Sequence, residues 1–251
     1  MPGARSSPAV PRRTGIPALA LLASSLVGTP ATAGPSIAKF PRDAAKAPAV
    51  RYAALGRAAC LRELRRRKIR FRAVGAAPGV LAPVRLEGKL GGVSIHTDFP
   101  VKKRRTVPWE VYDCRLVLAV HDFTRILAAH DIDEVHIFSA WRPPGKRWPA
   151  GKLGKRHPGG LAVDVRAFKK RSGAELVVER DFHGRIGAET CGAEAATPEP
   201  ATPEALELRA IACEAADARL FSGILTPNYN EPHRNHFHLE VTAGVKWFIV
   251  R

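Results

Sequence analysis

Acidic residues are scarce in this chain of 251 residues, which has 23 Asp and Glu against 40 Lys and Arg. The formal net charge is therefore +17. A charge of this size is informative about partners rather than about the fold, because it attracts anionic molecules over long distances. Three of the arginines lie in residues 1–33, which contain no acid, so the rest of the chain keeps a net charge of +14.

Long apolar runs are also missing from most of the chain. The main one, residues 16–27, is shorter than the roughly 20 residues that a membrane-spanning helix needs. Arginines precede this run, and the small residues from Ala31 to Ala33 follow it. This order is typical of a secretory signal peptide. We therefore predict a signal peptide over residues 1–33, cleavage near Ala33, a periplasmic or extracellular location, and no transmembrane helix in the mature chain.

Cysteine is rare, with four residues, and none of them lies in a Cys-x-x-Cys pair. This argues against a zinc site built from the four cysteines, since such sites are typically made of pairs at that spacing. An even number of cysteines in an exported chain indicates disulfides instead. Three pairings are possible. We favour Cys60–Cys114 with Cys191–Cys213, partly because the second bond would close a proline-rich loop.

Four of the nine histidines, in contrast, lie in two short stretches that also offer other polar ligands. The first is HPGGLAVD, from His157 to Asp164, and the second is HRNHFH, from His233 to His238. Together they offer a carboxylate and several imidazoles. A catalytic zinc ion uses such ligands when one coordination position stays open for water. The functional interpretation depends on whether the two stretches meet in space.

Both stretches lead into a predicted strand. Residues 161–165 and 236–241 alternate apolar with polar or small residues, and alternate residues of a strand share a face. His236 and His238 therefore lie on one face, so that one imidazole can bind metal while the other acts on the bound water. The two glycines before Leu161 allow a tight turn, which brings His157 over the same end of the sheet as Asp164. A fortuitous histidine cluster is the alternative.

This pattern resembles a known group of enzymes. H-x6-D followed by a C-terminal HxH is found in zinc peptidases such as D-alanyl-D-alanine carboxypeptidases, lysostaphin-type endopeptidases and a murein endopeptidase that ends in HxxHxH. The hedgehog signalling domain has a related fold. More closely, residues 59–239 resemble the bacterial extensin-like C-terminal domain family. The matching segments are GVLAPVRL at 79–86, YDCRL at 112–116, SAWRP at 139–143, HPGGLAVD at 157–164, and LTPNYNEPHRNHFHL at 225–239.

The resemblance implies three ligands of a Zn²⁺ ion, namely His157, Asp164 and His238. It implies His236 as the catalytic histidine beside the metal-bound water and His233 as an accessory histidine. The related carboxypeptidases use as general base a glutamate shortly before the last ligand. Here Glu231 lies seven residues before His238, so we assign the base to His236 and keep Glu231 as a weak candidate. Arg142 matches an arginine that would hold a substrate carboxylate or the oxyanion, and an ordinary surface arginine is the alternative.

The function favoured by these features is that of an exported zinc-dependent amidohydrolase or peptidase acting on peptide bonds of peptidoglycan. The alternative is a non-catalytic, zinc-stabilised module that binds the cell wall and needs no base. Basic clusters at residues 65–68, 102–105 and 169–171 indicate peptidoglycan or another anionic envelope polymer as the partner, and an ordinary solvated basic surface is the alternative. A basic nuclease is a third interpretation, but the predicted export argues against it, and no nucleic acid partner is expected.

The mixture of elements predicts an α+β fold, a mostly antiparallel sheet flanked by helices. The resemblance implies one compact domain of the hedgehog and D-Ala-D-Ala peptidase type over residues 51–251. We predict a linker over residues 34–50 and a mobile insertion at about 193–203, both from their proline content. Helices are predicted at 51–68, 114–129 and 204–220. Strands are predicted at 80–86, 93–99, 134–139, 161–165, 174–179, 221–225, 236–241 and 246–250.

Overall fold

The computed structural model of the protein describes residues 38–39, 43–145, 154–245 and 247–251. In these residues the strands are β1 (Ala38–Lys39), β2 (Phe71–Ala73), β3 (Pro83–Leu86), β4 (Ser94–His96), β5 (Tyr112–Asp113), β6 (Ile132–Ser139), β7 (Ala162–Lys170), β8 (Glu175–Val177), β9 (Gly223–Leu225), β10 (Phe237–Glu240) and β11 (Trp247–Val250). The α-helices are α1 (Pro48–Ala53), α2 (Arg57–Arg66), α3 (Val101–Arg104), α4 (Cys114–Ala129), α5 (Val178–Asp181) and α6 (Pro203–Asp217). The predicted signal peptide and part of the predicted linker lie outside the described residues.

Most strands belong to one sheet with the order β1-β11-β9-β10-β7-β6-β4, and β8 also pairs with β7. A smaller sheet has the order β2-β3-β5. The strand pairs of the described residues are antiparallel except for β9 with β11 and β4 with β6, which are parallel. The unit that spans Ile37–Arg251 is one compact body. The α+β prediction with a mostly antiparallel sheet is therefore confirmed.

Helix α4 forms the centre of the core, and its start follows from its sequence. The Asp113 side chain accepts a hydrogen bond from the Arg115 backbone N–H at 3.0 Å, which satisfies one of the free donors at a helix N-terminus. The helix then presents a buried apolar stripe to the large sheet, made of Leu116, Val120, Phe123 and Leu127. The predicted bounds of 114–129 are confirmed.

The helix predicted at residues 51–68 is wrong as one element. The structure has two helices there, α1 and α2, because Gly56 adopts an extended conformation with ψ 163° and serves as the N-cap of α2. Glycine loses more conformational freedom than any other residue when it is fixed in a helix interior, so a break at this position is favoured.

The strands predicted at 80–86 and 93–99 exist in shorter form, but they belong to different sheets. β3 pairs with β2 and β5, whereas β4 pairs in parallel with β6 at the edge of the large sheet. Between them, buried Leu90 and Val93 form a small bridge that closes the turn at Gly91 and Gly92. The glycine-rich turn therefore redirects the chain from one sheet to the other.

Both predicted disulfides are confirmed, and they use all four cysteines. Cys60 of α2 bonds to Cys114, the first residue of α4, with 6.0 Å between their Cα atoms. Cys191 bonds to Cys213 of α6, with 5.5 Å between Cα atoms. The second bond anchors the proline-rich residues 192–202, which have no helix or strand before α6 begins. The mobility of this insertion stays a prediction.

The remaining predicted elements are present but differ in length. β2, β5 and α3 were not predicted from the sequence, nor was β1, which falls in the predicted linker. β7 runs to Lys170, well beyond the predicted 161–165, while the strand predicted at 174–179 ends at Val177 and continues as α5. In the described part of the chain, no helix combines the length and the apolar character needed to cross a membrane.

A partly buried polar network connects α1, the end of α2 and α4. Arg67 donates to Asp122 Oδ1 at 2.6 Å and to the Tyr52 hydroxyl at 2.7 Å, and that hydroxyl donates to Asp122 Oδ2. Burial opposes ionisation of Asp122, but hydrogen bonds from His121 and Tyr52 and the Arg67 charge outweigh it and lower its pKa to about 2. The ionised carboxylate therefore stabilises the folded state.

We expect Asp122→Asn to lower the free energy of unfolding at pH 7 by about 2 kcal/mol. Because the folded pKa lies below the unfolded value, the stabilisation is present above about pH 4 and is lost as the pH falls towards 2. Urea unfolding between pH 2.5 and 7 should therefore show a weaker acid dependence for the variant. The exposed Asp217→Asn should behave like the parent. Equal acid dependence in Asp122→Asn and the parent would contradict the assignment.

Candidate metal centre

The two histidine-rich stretches meet at neighbouring strands. β10 lies antiparallel to β7, with His238 directly opposite Asp164 in the register. Residues opposite each other in an antiparallel pair have their Cβ atoms about 5 Å apart. His157 lies in a short 3-10 turn, His157–Gly159, just before β7. The strand alternation read from the sequence therefore brings the three predicted ligands to one point.

The donor atoms of these residues face one another. His157 Nε2 lies 3.0 Å from Asp164 Oδ1 and 3.2 Å from His238 Nδ1, and His238 Nδ1 lies 3.0 Å from Asp164 Oδ1. All three residues are buried, with exposed fractions of 7% for His157, 1% for Asp164 and 4% for His238. Ligands at about 2.0–2.2 Å from a tetrahedral zinc ion lie roughly 3.3–3.5 Å apart, so this triangle needs little expansion to hold one.

Hydrogen bonds on the far side of each ring orient both imidazoles. His157 Nδ1 donates to the Ala140 carbonyl oxygen at 2.6 Å, and His238 Nε2 donates to Glu240 Oε2 at 3.0 Å. The neutral tautomer of each ring then has its lone pair on the nitrogen that faces Asp164. Such outer hydrogen bonds are typical of metal-binding histidines. The donor set therefore fits a zinc ion.

Sequence reasoning missed the role of Glu240, although it placed this residue on the same face as His238. Its position two residues after His238 on one strand was the available signal, because i and i+2 side chains are neighbours on a strand face. Glu240 Oε2, which accepts from His238, also forms an ion pair with Arg156 Nε at 3.1 Å. The outer shell of the centre thus includes an ion pair between the buried Glu240 and the largely exposed Arg156.

The other predicted histidines lie beside the three donors. His236 Nε2 is 3.4 Å from Asp164 Oδ1, and its Nδ1 contacts Asn235 Oδ1 at 2.8 Å. The His233 ring lies 5.1 Å from the His236 ring and 5.7 Å from the His238 ring, centroid to centroid. The exposed edge of the centre is therefore lined by imidazoles.

The two remaining predicted residues differ in their surroundings. Arg142 donates to Asp164 Oδ2, the oxygen that does not face the histidines, and to Ser139 Oγ at 2.8 Å. Half of its side chain is exposed, at 50%. Glu231 is 68% exposed and pairs with Arg234 at 3.2 Å. Arg142 is thus part of the centre, whereas Glu231 is engaged in a surface ion pair.

Electrostatics keep most of the centre in a metal-binding protonation state. Burial opposes ionisation of Asp164, but its contacts with His157, His236 and His238 outweigh burial and hold its pKa well below the usual range. Burial lowers the pKa of His157, and it lowers the pKa of His233 to about 4. For His238, Asp164 and Glu240 outweigh burial and raise the pKa. Metal binding at His238 therefore displaces a proton.

The chain matches the family described as extensin-like protein C-terminus over residues 58–251. It belongs to the extensin-like C-terminal family. The resemblance predicted from residues 59–239 is therefore confirmed at the level of the family. No curated protein and no solved structure matches the chain.

The turn that carries His157 is packed against the start of α4 in this extensin-like domain. Gly160 has a φ of 63°, in the left-handed region, and its carbonyl oxygen accepts from the Asp113 N–H at 2.8 Å. A Cβ atom at Gly160 would lie 2.8 Å from that same Asp113 nitrogen. The Trp141 indole N–H donates to the Pro158 carbonyl oxygen at 3.2 Å. The tight turn expected from the two glycines is present.

We expect Gly160→Ala to destabilise the protein by more than a simple glycine replacement, because its side chain would collide with the backbone that anchors the turn. The matched control is Gly173→Ala, which has a φ of 91° but open space around the added carbon. Both variants share the left-handed cost of about 1–2 kcal/mol. Overpacking should add about 1–3 kcal/mol at Gly160. Urea unfolding would measure the difference, and equal losses would contradict it.

Proposed function

We propose that the protein is an exported zinc-dependent peptidase or amidohydrolase that cleaves peptide bonds of peptidoglycan. The observation that carries the proposal is the triangle of His157 Nε2, Asp164 Oδ1 and His238 Nδ1. These three potential ligand atoms face one another at 3.0–3.2 Å, and His236 lies beside them. Three protein ligands and one open position are the usual arrangement of a catalytic zinc site. The resemblance of the H-x6-D and HxH pattern to zinc peptidases supports the same reaction class.

A zinc ion bound there would lower the pKa of a coordinated water and polarise the carbonyl of the scissile bond. The protein groups would then handle the proton. His236 Nδ1 is held by Asn235 Oδ1, so the neutral ring has its lone pair on Nε2, the nitrogen nearest the ligands. His236 Nε2 takes a proton from the attacking water and returns it to the leaving amine, which is general acid–base catalysis.

Arg142 provides the positive charge for the substrate. Its guanidinium is fixed by Ser139 and Asp164, while half of the side chain remains open to solvent. A guanidinium has five N–H donors, so the two contacts leave others available. These remaining donors can bind a substrate carboxylate or the developing oxyanion.

The compartment and the partner follow from the rest of the chain. Two disulfides are typical of proteins from oxidising compartments, and the N-terminal sequence is typical of a signal peptide. The strong positive charge favours an anionic envelope polymer, for which peptidoglycan with its stem-peptide carboxylates is the candidate.

A non-catalytic zinc-stabilised module that binds the cell wall is the second candidate. The near-complete burial of Asp164 and His238 favours it, because buried ligands restrict the access of a substrate to a bound ion. This module needs the three ligands but has no use for His236. The two functions therefore differ in what a change at His236 does.

We expect His236→Ala to keep its bound zinc and to lose about 10²–10⁴-fold in hydrolysis of peptidoglycan amide bonds, the usual effect of removing a positioned acid–base group. His238→Ala should lose both the zinc of this centre and the activity. Zinc content would be measured by mass spectrometry of the dialysed protein, and hydrolysis by mass spectrometry of digested peptidoglycan with and without a chelator.

The control is His130→Ala, a half-buried histidine that contacts Glu207 and Glu214 instead of the centre. It should retain both zinc and activity. Hydrolysis by His236→Ala at the parent rate would show that this histidine is not the base. A parent that binds zinc at this centre yet cleaves no stem-peptide amide would favour the binding module.

A further inference from the structure

A second cluster of metal-binding side chains lies at the edge of the large sheet. His96 of β4 is directly opposite His136 of β6 in the parallel register, and Glu134 precedes His136 by two residues on the same strand. His96 Nε2 lies 3.2 Å from Glu134 Oε1, and His136 Nε2 lies 2.9 Å from the same oxygen. The exposed fraction of the side chain is 17% for His96, 27% for Glu134 and 16% for His136.

The hydrogen bonds around this cluster follow the same pattern as at the first centre. His96 Nδ1 faces the Thr97 carbonyl oxygen at 2.9 Å, and His136 Nδ1 faces Asp98 Oδ1 at 2.5 Å. Both oxygens are acceptors, so both Nδ1 atoms must be donors. The neutral rings then have their lone pairs on Nε2, and both lone pairs point at a carboxylate oxygen that also needs a positive partner.

A neutral ring that donates from Nδ1 cannot also donate from Nε2, and the two ring centroids are only 5.1 Å apart. Two nitrogen lone pairs and a carboxylate oxygen therefore face one another at short distance. A metal ion among the three atoms removes the conflict, because it accepts both lone pairs and neutralises the carboxylate. The Asp98–His136 contact then becomes the carboxylate–histidine pair that commonly stands behind a metal ligand.

The outer carboxylate oxygens of the cluster contact basic side chains, as the outer oxygen of Asp164 does at the first centre. Glu134 Oε2 has Lys169 Nζ at 3.7 Å, and Arg166 Nε contacts Asp98 Oδ2 at 3.0 Å. The basic side chains therefore occupy the outer oxygens of both carboxylates and leave Glu134 Oε1 to the histidines. The Asp164 carboxylate divides its two oxygens between Arg142 and the histidines in the same way.

We propose that His96 Nε2, Glu134 Oε1 and His136 Nε2 bind a second divalent transition-metal ion, for which Zn²⁺ is the natural candidate. Two imidazoles and one carboxylate are a common zinc ligand set. The three donor atoms lie within 4.8 Å of one another, as do those of the first centre. The two sites share no residue, so this inference is independent of the proposed peptidase activity.

The ion would fasten an edge strand to the sheet. In the described part of the chain, β4 has only β6 as a partner along the sheet order. An ion held by one ligand from β4 and two from β6 would connect the strands through their side chains. Metal binding therefore stabilises this edge of the folded state, since ligands that come together only on folding couple the two processes.

The test is a count of zinc ions in the untagged full chain after dialysis against a slight excess of Zn²⁺ and removal of loose metal. We expect two ions per chain in the parent, one in His136→Ala and one in His238→Ala, and none in the double variant. His130→Ala is the matched control, because it removes a histidine that also contacts two glutamates but has no second imidazole beside it. It should keep two ions.

Two milder variants guard against misfolding of His136→Ala. Glu134→Gln preserves the size of the side chain, and His96→Ala changes only the edge strand; each should bind one ion. Retention of two ions in all three cluster variants would overturn the inference. The inference would also be overturned if the parent bound one ion that is lost in His238→Ala and kept in His136→Ala. That result would leave the peptidase proposal intact. One ion lost only in the cluster variants would instead support this site and contradict the first centre.

Discussion

The antiparallel pairing of β7 with β10 is the constraint on which the candidate centre depends. It sets Asp164 opposite His238, and the strand alternation then brings His236 and Glu240 to the same face. A slip of one residue in this register would turn every one of these side chains to the opposite face of the sheet. Buried Phe237 and Leu239 prevent that slip, because their own face packs in the hydrophobic core. Core packing and ligand geometry are thus fixed by one set of backbone hydrogen bonds.

Much of this could be read from the sequence because the decisive signals are local. Alternation in residues 236–241 sets the shared face of the histidines, and Asp113 before an apolar repeat sets the start of α4. The pairing of β4 with β6 was not available in this way, because two parallel strands are far apart in sequence and carry no common turn. For the same reason, the facing of His96 with His136 became visible only in the structure.

Other differences have equally specific causes. The end of β7 is formed by Phe168, Lys169 and Lys170, and the two lysines appeared in the sequence as part of the basic cluster at residues 169–171. Their backbone pairs with β6 and β8, and this pairing extends the strand past the residues that form its apolar core. Gly56 divides the first helix although both flanks favour helix. The outer partner of His157 was invisible for a different reason. It is the carbonyl oxygen of Ala140, and main-chain acceptors carry no sequence signal.

The manner in which His157 is held has a consequence for mutational scanning. Its position rests on main-chain groups: the Ala140 oxygen on its ring, the Pro158 oxygen under Trp141, and the Gly160 oxygen on the Asp113 amide. An alanine scan deletes side chains and leaves carbonyl groups in place. Such a scan makes no change at Ala140 and removes only the ring at Pro158, so it does not report on the two peptide units that shape the centre. Replacement of single amides by esters, or a change of chain length in the turn, would be needed to expose their contribution.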